Sequence, residues 1–220
     1  MPRPRFEKLS APRQEAILHA AADEFAAHGF DGASYNHIIE AAGISKGAAY
    51  YYFDDKEDLY LTVMGHVIED FMHAVPLPAP ESIHTPRQFW AGVEAFTAEI
   101  LRYAQEHPTV LGLLRSLPRA SSASLRSAAM ERMGAFGRSF MEQLLLTGQA
   151  VGAVRTDIPF ELLLRFLLAV DEVQDRWMAE QSVPPDDAAL STHATLFMDL
   201  VRRMTAPPGP KKSSPTKKAG

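Results

Sequence analysis

The chain has 220 residues, of which 46% are hydrophobic and 22% charged, and a formal net charge of −5. That is the makeup of a soluble globular protein with room for more than one compact core. It contains no cysteine, which excludes disulfides, thiolate catalysis, zinc fingers and thiol redox sensing and makes an intracellular, cytoplasmic location the simplest expectation.

No strand-like alternation occurs, so the expected fold is all-α. Met1 to Leu9 carries charges without an apolar run, so it does not read as a signal peptide. A first helix is predicted from about Pro12 to Ala27, with Ile17, Ala21 and Phe25 on one face; Gly29 should end it, with Phe30 packing behind the glycine. Ser34 can cap a short helix whose buried side is Ile38, Ile39 and Ala42; Gly43 makes the turn, and Ser45 caps a second short helix closing on Tyr50, Tyr51, Tyr52 and Phe53. A short helix, a glycine turn of about 3–4 residues and a second short helix make a helix-turn-helix, whose second helix can enter a major groove. Asp55 should cap the next helix, which carries Leu59, Val63, Val67 and Phe71 inward and stops before Pro76.

A proline-rich loop covers residues 76–86. Phe89, Val93, Phe96, Ile100 and Tyr103 then repeat at helical spacing up to Pro108, and a short segment from Thr109 ends at Leu117. A long helix is expected from about Ser122 to Thr147, and one that is apolar nearly all round from Phe160 towards Met178. The last carries the stripe Leu190, Ala194, Phe197, Val201 and Met204. Residues 207–220, rich in Pro, Ser and Lys, cannot build a core and read as a disordered tail. The strongest apolar run, Leu162 to Val170, is broken by Arg165 and falls far short of a membrane span, so no membrane partner is expected.

Residues 1–56 hold six positive and eight negative side chains, a balance of −2. Local potential matters more than the sum, and Lys46 and Lys56 bracket the tyrosines. A helix cannot bury three successive residues on one side, so at least one of the three tyrosines must face outward, and DNA contact is favoured over a plain core role.

The stretch Ser34 to Lys56 resembles the signature of the TetR family of bacterial transcriptional regulators. The Ala42-Gly43-Ile44-Ser45-Lys46-Gly47 turn, the Tyr50-Tyr51-Tyr52-Phe53 close and the following Asp-Lys-Glu carry the resemblance. It implies a helix-turn-helix over about 33–52 within a DNA-binding domain of residues 1–56. It further implies an α-helical effector-binding and dimerisation domain over 57–206, operator DNA as partner, and a homodimer. Ser34, Tyr35, Tyr50 and Lys56 would then meet phosphate, while Asn36, Ser45, Lys46, Gly47, Ala48 and Tyr51 would face base edges or nearby backbone. Hydroxyls and helix-end amides suit phosphate oxygens, Asn36 can pair with adenine and Lys46 can reach guanine. Ile39 is larger, and Ala49 smaller, than is usual at their places in the family, which reads as a compensating swap in packing.

The function expected from the resemblance is a ligand-responsive, sequence-specific transcriptional regulator: a homodimeric repressor released by a small, largely hydrophobic effector. The alternative is an effector-independent regulator or activator. Candidate pocket residues are Phe71, Phe89, Trp90, Val93, Phe96, Met133, Phe136, Phe140 and Trp177, which would serve equally well as solid core. Candidate interface residues are Leu163, Leu167 and Val170 with Leu190, Ala194, Phe197 and Val201, two helices that could pair across a two-fold axis as a four-helix bundle. No spacing selects a catalytic triad, a phosphate loop or a dinucleotide fingerprint, so neither an enzyme nor a cofactor is expected. His66, Glu69, Asp70 and His73 share neighbouring turns, but a solvated face is the simpler reading than a metal site.

Overall fold

The computed structural model describes residues 4–75, 79–180 and 187–208, and among these every regular element is helical. The helices are α1 (Pro4–Glu7), α2 (Ala11–Gly32), α3 (Tyr35–Ala41), α4 (Lys46–Tyr52), α5 (Lys56–Ala74), α6 (Pro86–Glu106), α7 (Pro108–Ser116), α8 (Ala123–Ala150), α9 (Phe160–Glu180) and α10 (Asp187–Thr205). Residues 209–220 of the expected tail lie outside the described residues.

Local chemistry sets most of the boundaries. Asp55 Oδ1 accepts from Asp58 N at 2.8 Å, Thr85 Oγ1 from Gln88 N at 3.2 Å and Ser122 Oγ from Leu125 N at 3.1 Å, each satisfying an amide that a helix start leaves open. Pro86 and Pro108 occupy the first turns of α6 and α7, where a missing N–H costs nothing. Gly29, at φ 67 and ψ 174, does interrupt the first helix, but the chain resumes helical geometry and runs to Gly32. Phe30 packs behind that kink as expected, its ring 5.6 Å from that of Tyr60.

The largest core joins the head to the body. Ile17, Phe25, Ile38, Phe53, Tyr60 and Met64 are buried in the same cluster as Leu113, Leu117, Leu125 and Ala129. No break in packing falls at residue 56, where the two domains were expected to meet. Helices α2 and α7 approach closely: a Cβ added at Gly112 would lie 2.8 Å from Ala26 Cβ. Polar clips lie around this core. Asp31 accepts from Ser121 N at 2.7 Å, Glu57 from Ser124 Oγ at 3.1 Å, and Arg132 donates to Leu61 O at 2.7 Å. A second cluster, with Phe89, Val93, Leu145, Leu163, Leu164 and Leu167, holds α6, α8 and α9 together.

Candidate nucleic-acid interface

Two serine caps and one glycine turn build the helix-turn-helix. Ser34 Oγ accepts from His37 N at 3.3 Å and Ser45 Oγ from Ala48 N at 3.1 Å. Between them Gly43 sits at φ 62, a left-handed conformation that a side chain would oppose, and Ile44 N donates back to Ile39 O at 3.1 Å. Ile38, Ile39 and Ala49 are buried, which fixes the roll of both helices. The three tyrosines divide as helix geometry requires: Tyr50 and Tyr51 are each 47% exposed, while Tyr52 packs against the core. Lys46, Gly47, Tyr50 and Tyr51 therefore form the open face of α4, with Ser45 at its cap, Ala48 half-buried at its edge, and Ser34 and Asn36 exposed at the start of α3.

Two expected phosphate contacts are placed otherwise. Lys56 is half-buried and its ammonium donates to Ala33 O at 3.1 Å and Asp31 O at 3.5 Å while lying 4.7 Å from the centre of the Phe30 ring. It closes the carbonyl end of α2 rather than standing free for DNA. Tyr35 is half-buried against Tyr50, ring centres 5.5 Å apart, and its hydroxyl is buried without a protein hydrogen-bond partner. Burial above all, then Tyr50, Asp55 and Asp58, push this phenol up to about 12, so it stays a neutral donor.

Two features of the head are missing from the sequence reading. Phe6 in α1 is 3% exposed, its ring 4.9 Å from Phe53, and Arg5 lies 4.1 Å over the Tyr51 ring, so the first turn of the chain braces the back and the edge of α4. Glu24 is 8% exposed, yet its carboxylate accepts from Ser34 N at 2.8 Å and contacts His37 Nδ1 at 2.5 Å. The Ser34 amide first, then His37, hold this carboxyl below the usual carboxylate range against the opposing effect of burial. Phe6 sits in a segment read only for its charges, and Glu24 resembles any solvent-facing helix residue, so neither announced itself.

Residues 17–63, the span from the core of α2 to the first turns of α5, match the family model for bacterial regulatory proteins of the tetR family. The head thus carries the DNA-binding domain of the TetR family of transcriptional regulators. The transcriptional repressor AcnR of Corynebacterium diphtheriae is 28% identical over 166 residues, 74% of this chain and 78% of that protein. The transcriptional regulator RutR of Escherichia coli K12 is 33% identical over 104 residues, but these span only 47% of this chain and 46% of RutR. Bacillus subtilis FadR, solved in complex with stearoyl-CoA, shares the fold at a TM-score of 0.60 and 20% identity, over 84% of this chain and 96% of FadR. Regulators of this family bind operator DNA as dimers, and the class is not enzymatic.

In the body the expected pocket residues divide. Phe89, Val93 and Phe96 are buried and Phe140 half-buried, with the Phe96 and Phe140 rings 4.9 Å apart and Phe71 5.4 Å from Tyr103. Phe89, Val93 and Phe140 surround a cavity of about 20 Å³, room for about one water, so they pack as solid core. Trp90 instead borders a cleft of about 400 Å³ between α6 and α10, with Thr97, Leu101, Ala194 and Met198. Arg202 spans its rim, 5.2 Å over the Trp90 ring and 3.7 Å from Glu94. Trp177 is not in the interior: it is 48% exposed and stacks on His193 at 4.7 Å. The side chains of Met133 and Phe136 lie outside the described residues.

The interface candidates need a similar correction. Leu163 and Leu167 are 1% and 2% exposed because they face the chain's own second core, and Val170 is half-buried. The outward apolar side chains of α9 are Leu162, Phe166, Val173 and Trp177, and those of α10 are Leu196 and Leu200. Ala194 lines the cleft, Phe197 is half-buried, Val201 packs on the second core, and the side chain of Leu190 lies outside the described residues. Of the four acidic and histidine residues on α5, His66 pairs with Asp70 at 3.3 Å. Burial pushes the Asp171 carboxyl on α9 up.

Proposed function

We propose that this protein is a cytoplasmic homodimeric repressor whose operator binding is released by a small, largely hydrophobic effector. The observation that carries the reading is the shared core: Phe25 and Phe53 of the head lie in one buried cluster with Leu113, Leu117 and Leu125 of the body. A rearrangement of α7 or α8 therefore has a packed route to the helix-turn-helix. In the dimer it changes the separation of two recognition helices that must match half-sites about one DNA turn apart. A coupling of ~1–3 kcal/mol suffices for such a switch.

The DNA surface is Ser34, Asn36, Ser45, Lys46, Gly47, Ala48, Tyr50 and Tyr51, with the Tyr35 hydroxyl reaching it only if the Tyr50 ring moves aside. The dimer surface is formed by the outward apolar side chains of Phe166, Val173, Leu196 and Leu200, a larger apolar exposure than solvent tolerates without a partner. The stearoyl-CoA in FadR supports a hydrophobic effector for a fold of this kind. The effector-free alternative is favoured by one observation, the cavity of about 20 Å³ among Phe89, Val93 and Phe140.

Selection of bound duplexes from random DNA, repeated with a panel of small molecules, tests the whole reading. Lys46→Ala and Asn36→Ala should change which bases are tolerated, and Phe166→Glu should give a folded monomer with much weaker operator binding by light scattering and DNA titration. Recovery of no preferred duplex would remove the regulator reading. A preferred duplex whose binding no small molecule alters would leave the effector-free regulator.

A further inference from the structure

Glu24 and His37 lie beside the DNA face without belonging to the contacts assigned there. A carboxylate more than nine-tenths buried is costly unless its charge is matched, and here it is matched by two partners on the start of α3. The match also dictates the state of the imidazole. An ionised carboxylate only accepts, so at 2.5 Å the proton of that contact resides on His37 Nδ1. In the neutral ring Nε2 then carries a lone pair and repels an anion. After taking up a second proton Nε2 becomes a charged donor aimed away from Glu24.

The His37 side chain is 63% exposed, one turn from Ser34 and adjacent to Asn36, so its free edge emerges at the border of the DNA face. The other ionisable groups of the packed elements are Arg13, Glu15, His19, Asp23, His28 and Asp31 on α2, Tyr35 and Glu40 on α3 and Lys46 with the tyrosines on α4. His28, 3.9 Å from Glu24, shares its carboxylate. We propose that His37, as an imidazolium, is a further contact to the DNA backbone and that Glu24 is the residue that positions it. This rests on the DNA-binding reading above and adds proton uptake to it: binding should strengthen as pH falls.

The test uses the full-length protein and a mixed-sequence duplex, since a phosphate contact carries no code. Wild-type affinity should rise about five- to tenfold from about pH 8 to about pH 6, the span in which imidazoles take up a proton. His37→Ala should abolish that rise and, at about pH 6 only, flatten the slope of log affinity against log salt by about one unit. His37→Lys should restore the affinity and make it independent of pH over that span. Glu24→Gln, which turns a donor towards Nδ1, should weaken binding and blunt the pH profile while the thermal melt shows a folded head. His37→Ala removes an exposed side chain, so its result decides the matter even where Glu24→Gln fails to fold. Binding by His37→Ala that equals wild type in affinity, salt slope and pH profile, while Lys46→Ala weakens the same duplex, overturns this inference alone. If Lys46→Ala and Tyr50→Phe are equally without effect, the DNA surface itself falls.

Discussion

The seam between α2 and α7 and the seam between α6 and α10 join their helices by opposite means. At the first, Gly112 meets Ala26 with no room for a methyl group and Leu113 is fully buried. At the second, a cleft of about 400 Å³ remains, and its rim is held by Arg202 between Trp90 and Glu94. Exposed ion pairs contribute little, typically ~0–1 kcal/mol, whereas close packing is sensitive to single methyl groups. The head is thus fixed to the body by a close-packed joint, and the cleft of about 400 Å³ lies in a joint that does not touch the head.

Substitutions at the two seams should separate them. Gly112→Leu is expected to be the most damaging, ~2–4 kcal/mol by denaturant unfolding, because the added atoms meet α2 backbone. An alanine there would normally favour a helix by ~1 kcal/mol, so a destabilising Gly112→Ala would be the sharper result. Lys56→Ala should cost ~1–2 kcal/mol through the two carbonyls and the Phe30 ring it leaves, lowering the melting temperature as well as DNA affinity. Normal stability with lost DNA affinity would return Lys56 to the phosphate contacts.

Asp171→Asn tests the body away from both seams. Because burial raises the folded carboxyl above its unfolded value, that group favours the native state at acid pH and opposes it once ionised. The variant should therefore be more stable than wild type near neutrality, with the gain fading as pH falls from the raised folded value of Asp171 to the ordinary carboxylate value. Smallest of all, Ala98→Leu at the open cleft should change stability by less than ~1 kcal/mol, since the new side chain enters space. A cost as large as that of Gly112→Leu would erase the distinction between the seams.

What could be read from the residues alone was whatever local chemistry decides. Ser34, Ser45 and Asp55 cap helices because a hydroxyl or carboxylate three residues before an amide needs no tertiary partner, and Gly43 turns the chain because only its own backbone is involved. The sidedness of α9 was not legible, since a helix apolar all round has no preferred face until α8 and α6 claim Leu163, Leu164 and Leu167. Nor was the exposure of Trp177, which the same rotation decides, or the inward turn of Lys56, which needs the end of α2 to be in place. Glu24 was hidden because its partners are at Ser34 and His37, across a turn.

The brace at the start of the chain has a practical consequence. Phe6 fills the space behind Phe53, and Arg5 covers Tyr51, so the shape of the DNA-reading helix depends on residues that expression work often treats as dispensable. Trimming the chain to Leu9, or fusing a bulky partner directly ahead of Pro4, would loosen the reading head. An affinity tag placed after Pro208 avoids that risk.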